Sequence, residues 1–138
     1  MKSEELMQNN WVKLYGLPVP CKVRSITPST VVVEITSGGS SEQKADRLSP
    51  IELTDEFIIR AKFHKVKKGV YQKSVRDTAT FTYETDCRKL TVESKADNFT
   101  NVHVVCFVHE LQQMYYYYIG KNLEFDMTKA SDVLRFNK

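Results

Sequence analysis

The stretch that decides the fold runs from Val104 to Phe125 and reads VVCFVHELQQMYYYYIGKNLEF. Its apolar residues recur every three or four positions, the spacing of a helix with one buried face; they are Val104, Phe107, Val108, Leu111, Met114, Tyr115, Tyr118 and Ile119. The polar residues between them can face water; they are Glu110, Gln112, Gln113 and Lys121. Gly120 follows the last apolar residue, and glycine commonly ends a helix because it adopts a left-handed backbone without steric penalty. The pattern predicts an amphipathic helix over 104–119, followed by a short strand through Leu123 and Phe125.

Four consecutive tyrosines, Tyr115 to Tyr118, lie in this predicted helix. Successive helical residues are about 100° apart, so the four side chains sweep about 300° around the axis and one core face does not accommodate them all. One interpretation places two tyrosines in the core and two along the surface with solvated hydroxyl groups. The other assigns the exposed aromatic rings to a protein partner, with Tyr115, Tyr116 and Tyr117 as the partner-binding residues. The surplus of tyrosine also allows a homodimer through this helix.

Composition restricts the class of protein. A length of 138 residues predicts one domain, or two very small subdomains that share a core. There is no uninterrupted apolar run of about 18 residues, which predicts that no segment spans a membrane. The start, MKSEELMQNN, has no apolar signal segment, and the three cysteines (Cys21, Cys87 and Cys106) are an odd, widely spaced set. Both features favour a cytoplasmic protein with reduced thiols.

The N-terminal half has a β pattern. We predict a flexible segment over 1–8 and a small SH3-like β-barrel over 9–51, because short, strongly curved strands are typical of such barrels. The predicted strands are 11–15, 19–26, 31–35 and 47–49, and the glycine- and serine-rich residues 37–41 are predicted to form a flexible loop.

The C-terminal half mixes helix and strand. Thr54 is a favourable N-cap, and acidic residues follow it, which predicts a short linking helix that ends near Lys62. An antiparallel β-meander is predicted next, with strands at 63–66, 70–75, 78–83 and 89–92, and a polar connection at 95–101. The amphipathic helix then covers this sheet. Residues 52–126 therefore form one α+β unit, and the tail 127–138 has no predicted place.

A run of basic residues lies between Phe57 and Arg76, where there is no acid. It consists of Arg60, Lys62, Lys65, Lys67, Lys68, Lys73 and Arg76. One interpretation is a solvated hairpin with Gly69 at its tip. The other is a phosphate-facing patch, which requires these side chains to lie on one face. Together with Trp11 and other aromatic residues stacking on bases, such a patch would bind nucleic acid.

Catalytic and metal-binding motifs are incomplete. His109 and Glu110 begin like the helix of a zinc protease, but Gln113 stands where the second histidine ligand is needed. His103 and Cys106 extend this set, yet a zinc site usually needs a fourth ligand, and no second cluster offers one. The acids are scattered singly, so no carboxylate pair is suited to acid–base chemistry. We therefore predict no catalytic residues, no metal and no cofactor, and a protein that is not an enzyme.

Three stretches resemble a known family. Residues 50–63, PIELTDEFIIRAKF, are similar to an element that reads PIPLTEEWLLKFGF in that family. Residues 108–120, VHELQQMYYYYIG, with Leu123 and Glu124, resemble its terminal helix VHELQNLYFALTGEEL, and the NWV at 10–12 matches its opening GNWV. The family consists of uncharacterised small proteins of gut Bacteroidetes genomes, their prophages and related mobile elements.

This resemblance spans residues 10 to 125 in the family order and implies a small barrel followed by a sheet-and-helix unit. It implies no biochemical activity. The sequence departs from the family pattern at Asn10 and Lys62, where the family has glycine. Asparagine tolerates a left-handed backbone, whereas lysine does so poorly, which leaves the predicted end of the linking helix open.

Two functions follow as predictions. The first is a non-enzymatic protein–protein interaction module of a prophage or mobile element that acts on host machinery. The alternative is a nucleic-acid-binding accessory protein that uses the basic hairpin 60–76 and the aromatic residues of the barrel.

Overall fold

The computed structural model describes residues 1–15, 19–35, 38–76 and 78–127. These residues form two five-stranded antiparallel sheets, two α-helices and two short 3-10 helices, so the α+β class is confirmed. No helix among them has the length and apolar character needed to cross a membrane. The predicted tail lies outside the described residues except for Met127.

The first sheet contains β1 to β5 in the order β4-β3-β2-β1-β5. The strands are Trp11–Leu14, Pro20–Ile26, Val31–Ile35, Ser40–Gln43 and Leu48–Pro50. Alternation along β2 and β3 buries Cys21, Val23, Val31 and Val33, because successive strand side chains point to opposite faces. Strand β4 falls in part on the predicted loop 37–41, where a polar sequence gave no apolar alternation. The SH3-like barrel is not confirmed, because no strand pairing among the described residues joins β4 to β5 and the sheet is open.

The N-terminal segment 1–8 packs on this sheet. Ser3–Glu5 form a 3-10 helix, and the Leu6 side chain is buried in the core of the first sheet. The segment predicted to be flexible is therefore held by an apolar contact.

The second sheet contains β6 to β10 in the order β10-β9-β8-β7-β6. The strands are His64–Lys67, Val70–Val75, Ala79–Glu84, Lys89–Ser94 and Phe99–Val104. One face of this sheet is apolar and buried, with Phe81 and Tyr83 from β8 and Leu90 and Val92 from β9. The four strands β6 to β9 were predicted. Strand β10 was not predicted, and its first three residues, 99–101, take the place of the end of the predicted polar connection 95–101.

Helix α1 spans Asp55–Arg60 and has the predicted cap. The Thr54 hydroxyl oxygen accepts a hydrogen bond from the Phe57 N–H at 3.4 Å. The helix buries Phe57 and Ile58 and ends at Ala61. Lys62 has φ of 66°, so this residue takes the left-handed conformation that side chains other than glycine rarely adopt.

Helix α2 spans Val108–Ile119, which corrects the predicted start at Val104. Val104 belongs to β10, because β-branched residues favour a strand and Val104 pairs with Lys89 of β9. The helix begins where the Glu110 carboxylate accepts hydrogen bonds from the N–H groups of Cys106 at 2.9 Å and Phe107 at 3.1 Å. It ends as predicted at Gly120, whose φ is 77°.

The segment after α2 is not the predicted strand. Residues 122–127 run without regular structure, although Leu123 is buried. The Asp126 N–H donates to the Arg60 carbonyl at 2.9 Å, and this bond ties the segment to the end of α1.

Apolar side chains of α2 pack on the second sheet. Leu111 and Tyr115 join its core, where the Tyr115 ring lies 5.3 Å from that of Phe81. The buried Tyr83 hydroxyl donates to the Val105 carbonyl at 2.7 Å and fixes the connection that leads into the helix. Burial raises the pKa of Tyr83 to about 12, so this donor keeps its proton at neutral pH.

Two glutamines of α2 contact the first sheet and its N-terminal segment. The buried Gln112 carboxamide accepts from the Trp11 N–H at 2.8 Å and donates to the Asn9 carbonyl at 2.8 Å. Gln113 donates to the Glu5 carbonyl at 2.8 Å and to the Asn10 side-chain oxygen at 3.0 Å. Gln112 therefore does not face water, and the half-buried Gln113 does so only in part, because the N-terminal half of the chain packs against this flank of the helix.

Loss of the Gln112 side chain will destabilise the whole protein. Gln112→Ala leaves two backbone groups near the first sheet without partners, at a cost of about 2 kcal/mol or more in the free energy of unfolding. Urea unfolding followed by circular dichroism measures this. The exposed Gln8 provides the control, because Gln8→Ala changes stability by about 0.5 kcal/mol or less. Equal stability of the two variants would contradict the role of Gln112.

Candidate interaction surface

The four tyrosines of α2 lie in different environments. Tyr115 is buried, with 8% of its surface exposed, whereas Tyr116 is 44% and Tyr117 is 75% exposed. Tyr118 is half-buried. The interpretation with two tyrosines toward the core and two along the surface is confirmed. Tyr115 packs on Phe81 and is not available to a partner, so only Tyr116 and Tyr117 stay as partner-binding predictions.

Tyr118 connects the exposed tyrosine to the sheet. Its ring stacks on Phe99 of β10 at 5.7 Å, and its hydroxyl lies 2.6 Å from His103 Nε2 and accepts from the Asn101 side chain at 3.0 Å. The Tyr117 ring stands edge-on against the Tyr118 ring at 5.0 Å and 88°. Tyr117 is therefore exposed but supported by a fixed neighbour, which restricts its rotamers.

Two of the seven basic residues have internal roles. The Arg60 guanidinium donates to the Asp126 carbonyl at 2.6 Å, and the Lys73 ammonium donates to the Ala61 carbonyl at 3.0 Å. Burial, with a smaller effect from nearby Lys62, lowers the pKa of Lys73. Both side chains hold chain segments around the end of α1.

The other five basic residues are exposed but do not share one face. They are Lys62, Lys65, Lys67, Lys68 and Arg76. Lys65 pairs with Tyr71, whose side chain is on the buried face, whereas Lys67 follows a bulge and pairs with Val70 on the opposite face. Arg76 follows the far end of β7, about 20 Å from the turn at Gly69. The seven basic residues together therefore do not lie on one face, as a single phosphate-facing patch would require.

Acids from other segments approach the hairpin. A Cβ added at Gly69 would lie 3.9 Å from the Asp86 carboxylate, so this acid is next to the Lys68–Gly69 turn. The Asp55 carboxylate accepts from the Tyr71 hydroxyl at 2.9 Å. The sequence run has no acid, but the folded neighbourhood has several.

Trp11 belongs to the first sheet and not to the basic hairpin. It is half-buried, its N–H bonds Gln112, and the Lys22 ammonium lies 6.0 Å from its ring. Its ring packs against the core shared by α2 and the second sheet. The side chain therefore contributes to the contact between the two halves.

The residues considered for chemistry do not assemble. Among the described residues no three of the types His, Cys, Asp and Glu are placed to hold a metal ion. His103 bonds Tyr118, and the half-buried Cys106 lies between β10 and α2.

His109 is buried with an unpaired nitrogen. Its ring stacks on Phe107 at 6.0 Å and 13°, and Nδ1 has no hydrogen-bond partner among the described residues. Burial lowers the pKa of His109, and the nearby Glu110 and Glu5 carboxylates oppose this shift more weakly. The folded protein therefore prefers neutral His109.

No family model, no curated protein and no solved structure matched the chain.

Stability will fall with acidification because of His109. Below about pH 6.5 the unfolded chain binds a proton at this histidine, while the folded protein resists it until its lower pKa is reached. The free energy of unfolding therefore decreases between these two values. His109→Gln will flatten this part of the pH profile in urea unfolding, whereas the exposed His64→Gln will leave it unchanged. An identical slope in wild type and His109→Gln would refute this assignment.

Proposed function

We propose that this protein is a non-enzymatic protein–protein interaction module whose partner binds the outer side of α2. The observation that carries the proposal is Tyr117, a large aromatic side chain that is 75% exposed and braced by Tyr118. Exposed tyrosine rings are enriched at protein interfaces. A rotamer that is already restricted lowers the entropy lost on binding.

Tyr116 enlarges this site. It is 44% exposed and lies one position before Tyr117, about 100° around the helix. The flank of α2 next to it carries Gln112 and Gln113, which bond the N-terminal half. A partner seated on Tyr116 and Tyr117 would therefore contact α2 near the line where the two halves of the protein meet.

The biological setting is part of the same proposal. The resemblance to proteins of gut Bacteroidetes prophages and mobile elements supports a cytoplasmic module that acts on host machinery. The strands β1 to β5, with the bulge between Val23 and Ser25 in β2, support a small barrel-like N-terminal unit.

An affinity capture from bacterial lysate tests the proposal. Wild type retains a specific protein after nuclease treatment, and Tyr117→Ala reduces its recovery at least about tenfold, because truncation of a hot-spot tyrosine costs about 2 kcal/mol or more in binding free energy. Mass spectrometry identifies and quantifies the captured protein.

Tyr15 supplies the matched control. It is 78% exposed and lies in the other half of the chain, so Tyr15→Ala will leave recovery unchanged. If wild type and a Tyr116→Ala, Tyr117→Ala double variant capture equal amounts of the protein, the partner does not bind α2.

Nucleic-acid binding is the second candidate, favoured by one observation. Strand β6 is exposed along its whole length, and with the following turn it presents Lys65, Lys67 and Lys68 at the edge of the second sheet. Flexible cations at a sheet edge are able to contact phosphates.

Salt dependence tests this candidate. Phosphate contacts predict that affinity for a single-stranded oligonucleotide falls steeply with salt, with about one unit of log–log slope lost for each lysine removed. Charge reversal of Lys65, Lys67 and Lys68 to Glu will then abolish binding, while Lys44→Glu in the first sheet's connection will not. Binding that is insensitive to salt would exclude this function.

A further inference from the structure

The two edges of the second sheet differ in how they are protected. Edge strand β6 carries His64, Lys65 and Lys67, with a bulge between the two lysines. Lysine and bulges are the features that prevent an edge from pairing with another chain. Edge strand β10, with the sequence FTNVHV, has no charged residue and pairs with β9 over all six positions without a shift. This edge is unprotected.

The hydrogen-bond pattern shows which backbone groups of β10 are free. The Val105 N–H donates to the Arg88 carbonyl at 2.8 Å, just beyond the pair Val104–Lys89. Bonding positions alternate along an antiparallel pair, so Phe99, Asn101 and His103 face β9. The backbone groups of Thr100, Val102 and Val104 point outward, and no hydrogen bond of the described residues uses them.

The side chains at these three positions are also exposed. Val102 is 58% and Val104 is 73% exposed, on the sheet face away from α2. Between the edge strand and the helix there is an open groove of about 390 Å³, lined by residues 102–105 and by Glu110, Gln113 and Met114 of α2. On the helix side, Asn101 and His103 are held by the Tyr118 hydroxyl. The strand is therefore accessible along its edge and rigid in its side chains.

We propose that β10 pairs antiparallel with β10 of a second copy of this chain, about a two-fold axis through Val102. In this register Val102 lies opposite Val102 of the second copy, and Val104 lies opposite Thr100. Each outward N–H and C=O at Thr100, Val102 and Val104 then has a backbone partner. The two second sheets become one continuous sheet, which removes the unprotected edge from both protomers.

A second copy fits this edge because the edge is complementary to itself. On the face away from α2 the register opposes β-branched side chains, which pack well across strands. On the helix face, Asn101 of one copy lies opposite His103 of the other, and these two polar residues are able to hydrogen-bond. β10 contributes no charge, so the two-fold operation brings no like charges together within the strand pair. A partner strand with charged side chains would meet no side chain of opposite charge on β10.

Sedimentation velocity of the full chain over a concentration series, up to about 1 mM, tests the pairing. Wild type will shift from monomer toward dimer as concentration rises. Val102→Lys and Val102→Glu will each raise the dissociation constant at least about tenfold, because a residue on the two-fold axis meets its own charge. An equimolar mixture of the two variants will recover the dimer, because Lys then opposes Glu.

Val66→Lys is the matched control, since Val66 is a 54% exposed valine on the other edge of the same sheet, and this variant will dimerise like wild type. Circular dichroism and thermal unfolding confirm that each variant is folded. The proposal is overturned by wild type that stays monomeric throughout, by a dimer that survives Val102→Lys, or by variants that do not complement each other. A dimer lost in Tyr117→Ala but kept in Val102→Lys would place self-association on α2 and also overturn it. The proposal is also overturned if the folded protein stays monomeric and β10 pairs with a strand of another protein.

Discussion

The arrangement of the two sheets depends on the carboxamide of Gln112. Apolar contacts hold α2 against the second sheet, but they are non-directional and do not by themselves orient the first sheet. Gln112 bonds both the carbonyl of Asn9 and the N–H of Trp11, the first residue of β1. Two directional bonds from one buried side chain fix the distance and the angle of this contact. The helix thereby contacts both halves of the molecule: its apolar side chains join the core of the second sheet, and Gln112 bonds the chain at the start of the first.

Because α2 contacts both halves of the molecule, its tyrosines lie in different environments. A helix between two packed units keeps only a narrow strip of its surface in solvent, and Tyr117 lies on it. Tyr115 stabilises the core, and Tyr118 links the helix to the edge strand β10 through Asn101 and His103. The exposed ring is consequently joined, through one aromatic contact and two hydrogen bonds, to the unprotected edge of the sheet. Helix surface and sheet edge are neighbouring parts of one rigid region.

The pleat and the strand pairing of the second sheet determine where the charged side chains lie, and the order of residues in the sequence does not. The basic run at 60–76 contains no acid, yet Lys65 and Lys67 point to opposite faces, and Arg60 and Lys73 bond carbonyl groups around the end of α1. Asp86, in the turn between β8 and β9, lies beside Gly69. Antiparallel pairing thus mixes the charges of segments that are distant in the sequence, and this weakens the electrostatic argument for nucleic acid.

The sequence by itself determined the features that rest on local chemistry. Thr54 as an N-cap, Gly120 as the end of α2 and Gly69 in the turn of a hairpin were all predictable, because caps and tight turns depend on one residue and its immediate neighbours. Alternation predicted the strands of the meander. The tertiary structure alone decided where helix and strand divide at Val104, because the apolar spacing suits a helix while pairing with β9 requires a strand. It also decided that Gln112 is buried, since a polar residue on a helix carries no signal of a distant backbone that needs its hydrogen bonds.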